Sequence, residues 1–551
     1  MKSRLAILII LVILLNSCKK DDPIAPKPVN ASVESVTINN QLVLNNQKVL
    51  NITPDSVVIE INFSSAINVN KIDTLKCFIS NGIGNDFTVI PSTNNKKLIL
   101  FINPKLKFLS SYKLYILDGE SLGINLIDPY EYSFVTNIDT TPKFPLIPDE
   151  ELLSMIQRQS FKYFWDYAHP VSGLARERLG SGDVVTAGGS GFGLMAILVG
   201  IERGFITRQE GYERLNKIVN FLSDAKTDKF HGAFPHWLNG STGKVIPFGT
   251  KDNGADLVET AYLIQGLLTV REYFKNGSAD ELILCNSITQ LWEKVEWSWF
   301  RRGNQNVLYW HWSPNYGWDM NMQIQGWSEC LIVYVLAASS PTYGIPKEVY
   351  TSGWARNGAF PMKNGKTFYG ITLPLSWDFG GPLFWAHYSF LGLDPRNLSD
   401  QYANYWEQNI AHSRINYEYC KANPKKYPGY SANCWGLTAS DVPKGYAANE
   451  PSNDQGVITP TAAISSIVYT PDESLAAIRF FYYTLGDKLW GQYGFYDAFD
   501  LGEQWWATSV LAIDQGPEIC MIENYRTALL WNNFMSNPEI QTALTTLGFT
   551  Y

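Results

Sequence analysis

Glu329 stands in the most aromatic stretch of the chain. From Tyr309 to Leu331 the sequence reads YWHWSPNYGWDMNMQIQGWSECL, with Tyr309, Trp310, His311, Trp312, Tyr316, Trp318 and Trp327 interrupted by Pro314 and Gly317. Such a run is too aromatic for an ordinary surface loop and too broken for a core helix. Flat rings spaced by turn residues suit the C–H faces of sugar rings. From Gln325 the pattern becomes helical, with Trp327, Leu331, Tyr334, Val335 and Ala338 on one side. Glu329 is thereby expected in the first turn of that helix, facing the aromatic loop. A carboxyl group there is either a partner for the helix dipole or a general acid whose pKa its apolar surroundings raise.

Two further acidic stretches stand out. In DNGADLVETAY, Asp252, Asp256 and Glu259 are four and three residues apart, so on a helix running to Phe274 they would project from one side near its start. One acid there serves as a cap or dipole partner; three on one stripe repel each other, which a hydroxyl-rich ligand would offset. In WWATSVLAIDQGPEICMIENYRTALLW an apolar helix is expected to run into Asp514, break at Gly516 and Pro517, and restart with Glu518, Glu523 and Arg526. A buried acid needs a partner or a task, and Arg526 is the candidate partner for Asp514 in a structural ion pair.

Other motifs point away from common chemistries. HGAFPHWLNGSTGK carries His231, His236 and Trp237, but the histidines share no helical face and no carboxylate completes a metal set. No metal or cofactor is expected. GGSGFG at Gly188–Gly193 has neither the preceding strand nor the Lys-Ser/Thr of a phosphate loop, and close packing of a helix start explains it better. The six cysteines after Cys18 (Cys77, Cys285, Cys330, Cys420, Cys434 and Cys520) form no C-x-x-C pair, and buried free thiols are expected. A formal charge of −8 without a basic run excludes nucleic acid and acidic polymers, and fits a neutral substrate.

The elements that must hold these residues change character along the chain. Lys2 and Arg4 precede an apolar run, Leu5 to Leu15, too short to span a bilayer and followed by Asn16, Ser17 and Cys18. This resembles a bacterial lipobox, which makes residues 1–17 a signal peptide and Cys18 a lipidated first residue. The following Lys19, Lys20, Asp21 and Asp22 resemble the export signal of outer-membrane lipoproteins exposed at the cell surface, with plain solvated chain as the alternative, and residues 18–32 are expected to be a lipidated linker. Residues 33–138 alternate apolar and polar, as at Val57, Ile59, Ile61 and Phe63, and read as a small antiparallel sandwich. INFSSAIN and SFVTNID there resemble a bacterial Ig-like domain. Pro142, Pro145 and Pro148 mark a linker over residues 139–148. From residue 149 the period is helical, with Asp149 as a cap. Helices are expected over 192–203, 208–225, 257–274, 281–299, 327–338, 383–391, 401–423, 472–485, 506–513, 517–534 and 538–547. A dozen such helices suit either an (α/α)6 toroid or an irregular bundle.

Four long motifs in order, SGLARERLGSGDVVTAGGSGFGLMAILVGIERGFITRQEGYER, DNGADLVETAYLIQGLL, YWHWSPNYGWDMNMQIQGWSECLIVYVLAASSP and IDQGPEICMIENYRTALLW, resemble the glucoamylase-like (glycoamylase) family. The resemblance implies a mainly α chain whose (α/α)6 toroid catalytic domain, residues 149–551, follows the Ig-like β-sandwich. It implies a glycoside hydrolase of β-1,2-glucan, internal or disaccharide-releasing, that inverts the anomeric centre. Glu329 matches the family's general acid, Asp514 the acid on the other side of the cleavage point, and Asp252, Asp256 and Glu259 the acids lining the cleft. Trp237, His311, Trp312, Trp318, Trp327, Trp377, Glu523 and Arg526 complete the expected substrate contacts. A monomer on the outer membrane, anchored at Cys18 and bound to a glucan, is expected. A hydrolase of another glucan and a non-catalytic glycan-binding lipoprotein are the alternatives, and retention of every motif acid favours an enzyme.

Overall fold

A computed structural model describes residues 27–90 and 92–551; the expected signal peptide and lipidated Cys18 lie outside the described residues. The chain forms two compact units, Met1–Asn137 and Ile138–Tyr551.

The first unit is a sandwich. One sheet runs, in spatial order, Gln41–Val43, Val33–Ile38, Val58–Phe63, Lys97–Ile102 and Phe87–Ile90; the other runs Lys48–Ile52, Tyr130–Thr136, Ser111–Ile116 and Cys77–Ile79. Strict alternation sends every second side chain inward, so Ile59 pairs with Leu100 and Ile61 with Leu98 at zero exposure. Leu114 and Phe134 of the facing sheet close the same core.

The second unit contains helices α1 (Asp149–Trp165), α2 (Ala187–Glu202), α3 (Arg208–Ser223), α4 (Leu257–Phe274), α5 (Ala279–Glu293), α6 (Leu331–Ser339), α7 (Lys347–Val349), α8 (Tyr405–Ala422), α9 (Pro460–Ser465), α10 (Pro471–Arg479), α11 (Gly486–Leu489), α12 (Ala512–Thr527), α13 (Leu529–Met535) and α14 (Pro538–Leu547). They fall into two kinds. Every residue of α2 from Ala187 to Gly200 and of α4 from Leu257 to Glu272 is buried, as in helices surrounded by protein. By contrast α3 buries only Gly211, Leu215, Ile218, Val219 and Leu222, one face of a helix that Thr207 and Glu210 start with a capping box.

The buried kind makes an inner ring. Around it α2 packs on α4, α4 on α6, and α6 on the 3₁₀ turn Tyr388–Leu391, which the turn Leu383–Ala386 adjoins; the ring then passes to α9, α12 and back to α2. His387 and Ser466, 3.0 Å apart, join the 3₁₀ turns to the end of α9. Amphipathic α1, α3, α5, α8 and α10 alternate with these in the chain and lie outside. This is an (α/α)6 toroid. Glycines let α2 and α4 touch: a Cβ on Gly191 would stand 2.2 Å from the Tyr262 carbonyl oxygen, and one on Gly266 would stand 2.2 Å from that of Gly191. The GGSGFG motif is therefore a packing device.

Several expected helices differ. Of the helix expected over 506–513, residues up to 511 form the end of a short strand and a loop, and α12 starts at Ala512 and continues through Pro517; burial against α1, α2 and α9 outweighs one missing hydrogen bond. It ends at Ala528, whose φ of +57° breaks it from α13. Residues 383–391 are 3₁₀ turns, and α6 starts at Leu331, after Glu329. Asp149 makes no capping bond; its carboxylate pairs with Arg479.

Candidate active site

Three inner helices bring an acid to the same end of the ring. Asp256 caps α4: its Oδ1 accepts the amides of Val258 (3.0 Å) and Glu259 (2.9 Å). Glu259, in the first turn, takes the Gly188 amide of α2 at 2.7 Å and the Thr186 hydroxyl at 3.2 Å. Glu329 sits two residues before α6, its carbonyl oxygen receiving the Tyr262 and Ser389 hydroxyls. Asp514 is the third residue of α12, its carbonyl held by Thr461 of α9 at 2.8 Å. The rings of Phe192, Tyr262 and Tyr388 form a triangle with centroids 5.1 to 5.6 Å apart. Tyr388 lies in the field of Asp514 as well as of Glu259 and Glu329, which places this triangle between the two acid groups.

The first group contains Asp252, Asp256, Glu259, Glu329, His236 and His311. Asp252 comes from a turn before α4 rather than from the helix itself, so the expected three-acid stripe is two helical acids and one loop acid. Antiparallel pairing of Asp256 with His311 carries the imidazole to the acids, its Nε2 3.5 Å from Asp252 and 3.8 Å from Asp256. His236 Nδ1 meets Asp256 Oδ2 at 3.1 Å, while Phe248 stacks on its ring at 4.2 Å.

Burial is the main force on these carboxyl groups. It raises Glu329 to about 7, helped by the charges of Glu259 and Asp256, and raises Asp252 to about 7 with help from Asp256. Asp256 feels the same desolvation, but the hydrogen bond from His236, the charges of His311 and His236 and the Glu259 amide together outweigh it and keep the group below the usual carboxylate range. Burial would lower His236; Glu259 and the bond to Asp256 reverse this and raise it to about 9. His236 is thus the cation of an otherwise acidic cluster.

His236, Asp252 and Asp256 also offer ligand atoms within 4.8 Å of one another. The expectation that no carboxylate joins the histidines is corrected here: folding supplies two from the next motif. A divalent ion would have to displace the proton that His236 shares with Asp256, so the residues present fit an imidazolium–carboxylate pair better than a metal.

The second group surrounds Asp514, whose pKa burial and the neighbouring Asp497 push well above its ordinary value. Asp497 is raised to about 6 by burial. Asp497 Oδ2 accepts the Asp441 amide at 2.7 Å, and Arg178 holds Asp441 at 3.0 and 3.2 Å and Glu177 at 2.9 and 3.0 Å. Sequence reasoning missed Glu177, Arg178, Asp441, Asp497, His236 and Tyr388. Glu177 and Arg178 were visible only as part of the motif SGLARERL; Asp441 and Asp497 are single acids in ordinary turn sequence.

Five expected contacts are placed elsewhere. Trp327 is 1% exposed and stacks between Phe390 and Tyr405, because Gly326, at φ +78°, turns it into the core. Glu523 lies nine residues beyond Asp514, ~13 Å along α12, where it binds Arg203 twice at 2.7 Å. Arg526 pairs not with Asp514 but with Glu150, Gln157 and Ser154, tying α12 to α1. Trp312 points away from the acids, since it follows His311 on a strand, and joins Trp299, Trp318 and His231 in a separate aromatic cluster. Trp318 belongs to that cluster too. Trp237 stays close to the acids, edge-on to Phe248 at 4.8 Å, and Trp377 is 51% exposed beside Phe360.

The glycoamylase family model, described as "Putative glucoamylase", matches residues 321–538, a span that contains both Glu329 and Asp514. The endo-β-1,2-glucanase of Chitinophaga pinensis, solved with sophorotriose and glucose, is 56% identical, with a TM-score of 0.72 over 74% of this chain and 99% of that one. The chain belongs to the glycoamylase family. A second structure, the β-1,2-glucanase of Parabacteroides distasonis, is 39% identical with a TM-score of 0.71, over 94% of this chain and 73% of that one. The exo β-1,2-glucooligosaccharide sophorohydrolase (non-reducing end) of the same organism is 48% identical over 416 residues, 72% of this chain. The match spans 57% of that relative's length.

Proposed function

We propose that this glycoamylase hydrolyses β-1,2-linked glucan with inversion, Glu329 acting as general acid and Asp514 as general base. The observation that carries this reading is the pair of separate acid groups at the inner-ring helix starts, with Glu329 raised to about 7 by burial. A carboxyl group that is half-protonated near neutrality can give its proton to the glycosidic oxygen as the C–O bond breaks. Asp514 takes a proton from the water that attacks the anomeric carbon from the opposite face. One proton leaves Glu329 and one arrives on Asp514, so exchange with solvent resets both. Asp252, Asp256 and Glu259 accept hydroxyl hydrogens of the sugar, and the His236 cation keeps Asp256 ionised for that task. Trp237 and Phe248 supply apolar faces beside them.

Reducing-sugar release from a panel of linkage-defined glucans tests the substrate. Release from β-1,2-glucan alone is expected; release only from another linkage, or binding without release, sinks the reading. Chain-length analysis of the products separates the two modes named for the relatives, a ladder for internal cleavage and sophorose alone for release from an end. We also propose that Cys18 carries a lipid that holds the enzyme on the outer membrane as a monomer, which loss of acyl labelling in Cys18→Ser would test.

A further inference from the structure

Asp514 does not stand alone in its pocket. The start of α12 is fixed by the Ala512 amide on the Glu177 carbonyl (3.1 Å) and by pairing of Arg178 with Leu511. Against the Asp514 carboxyl lies that of Asp497, whose backbone amide is held by the Ser509 carbonyl at 3.0 Å. Both side chains are buried, at 3% exposure each. Asp497 Oδ2 is occupied by the Asp441 amide, yet Asp497 Oδ1 and Asp514 Oδ2 are buried and receive no donor among the described residues. Two buried oxygens without donors on touching carboxyl groups cannot both carry charge.

Among the described residues no cation is free to compensate them. Arg178 already neutralises Asp441 and Glu177, and Ser509 donates to Asp441 rather than to the pair. Glu518, further along α12, is buried against Ser160 and is itself pushed well above its ordinary pKa by desolvation. The charge of Asp514 also bears on the phenols of Tyr388, which burial raises well above the ordinary value, and of Tyr446, which is 47% exposed. A proton is the remaining counter-charge.

We propose that Asp497 is the positioning residue of Asp514: one proton held between Asp497 Oδ1 and Asp514 Oδ2 fixes the Asp514 carboxyl and leaves its Oδ1 as the oxygen that receives the proton of the attacking water. This rests on Asp514 being the general base. During turnover the water O–H bond breaks, its proton goes to Asp514 Oδ1, and the oxygen's electron pair forms the new bond to the anomeric carbon. The shared proton stays where it is. The pair therefore titrates as a unit: sharing tightens the hold on the first proton and loosens it on the second, so without Asp497 the lone buried Asp514 carboxylate takes up the proton that blocks it at a higher pH.

The test compares two substitutions by pH profile. Asp497→Val keeps volume but removes the donor; it should move the acid limb of kcat up by about one pH unit or more and lower kcat about a hundredfold, with KM nearly unchanged. Asp497→Asn supplies an N–H in the same place and should stay within about tenfold of wild type. A wild-type acid limb and kcat in Asp497→Val, or equal loss in both folded variants, overturns the proposal. If Asp497→Val does not fold, infrared difference spectroscopy of Asp497→Asn decides: the proposal expects one protonated-carboxyl band fewer than wild type at a pH above the Glu329 titration, and an unchanged band overturns it. Asp514→Asn separates the two ideas. Full activity there removes Asp514 as base; an inactive Asp514→Asn beside a wild-type Asp497→Val removes only the positioning role.

Discussion

Glu329 is an ionisable group in a place that resists ionisation. Folding takes its carboxyl out of water and sets it near Glu259 and Asp256, so it keeps its proton to about pH 7. Glu329→Gln preserves shape but has no proton to give; kcat should fall by about two to four orders of magnitude with KM nearly intact. Steady-state kinetics on the preferred glucan checks this, and a variant that turns over like wild type would move the acid elsewhere. The same burial has a cost in stability. Because the folded pKa is raised from 4.5 to about 7, the contribution is fully favourable below the unfolded value and is lost as pH rises through 7. Glu329→Gln should therefore melt higher than wild type at pH 8 and alike at pH 4, read by thermal denaturation. A pH-independent difference would mean the side chain acts by packing alone. Glu329, Asp256 and Glu259 were legible in the sequence because helix starts are local. His236 was not, since its partner Asp256 is brought to it by folding.

Elements explain why the acids converge. The inner helices start at one end, and their approach depends on glycine at the α2–α4 crossing. Gly191→Ala should destabilise the toroid by about 1–3 kcal/mol, because backbone cannot yield to a methyl group at 2.2 Å. Chemical denaturation measures it, and unchanged stability would show that the crossing is looser than described. Periodicity identified α4, α8 and α14 closely, yet it failed around Asp514. Gly516 and Pro517 look like a break, but the interior of the ring stabilises a helix through them, and the residues before Ala512 that look helical are a loop. Trp327 misled in the opposite direction, an aromatic beside the acid that the φ of Gly326 sends into the core.

At the scale of the molecule, all the acids of the site belong to the unit Ile138–Tyr551. A chain of residues 138–551 should keep wild-type kcat on soluble glucan, which a collapse of turnover in the shortened enzyme would refute. The toroid was legible from four motifs in order rather than from helix count, since a dozen helices equally permit a bundle. The carboxyl pair of Asp497 and Asp514 was not legible as a pair, because Asp497 comes from a loop that only ring closure brings to the start of α12. The central claim is that Glu329 and Asp514 act on opposite faces of one β-1,2 bond. Proton NMR of the first products from linear β-1,2-glucan, recorded before mutarotation, tests it most directly. The account predicts that the newly formed reducing end appears as the α-anomer. Appearance of the β-anomer would mean a retained configuration and would contradict the assignment of the two acids.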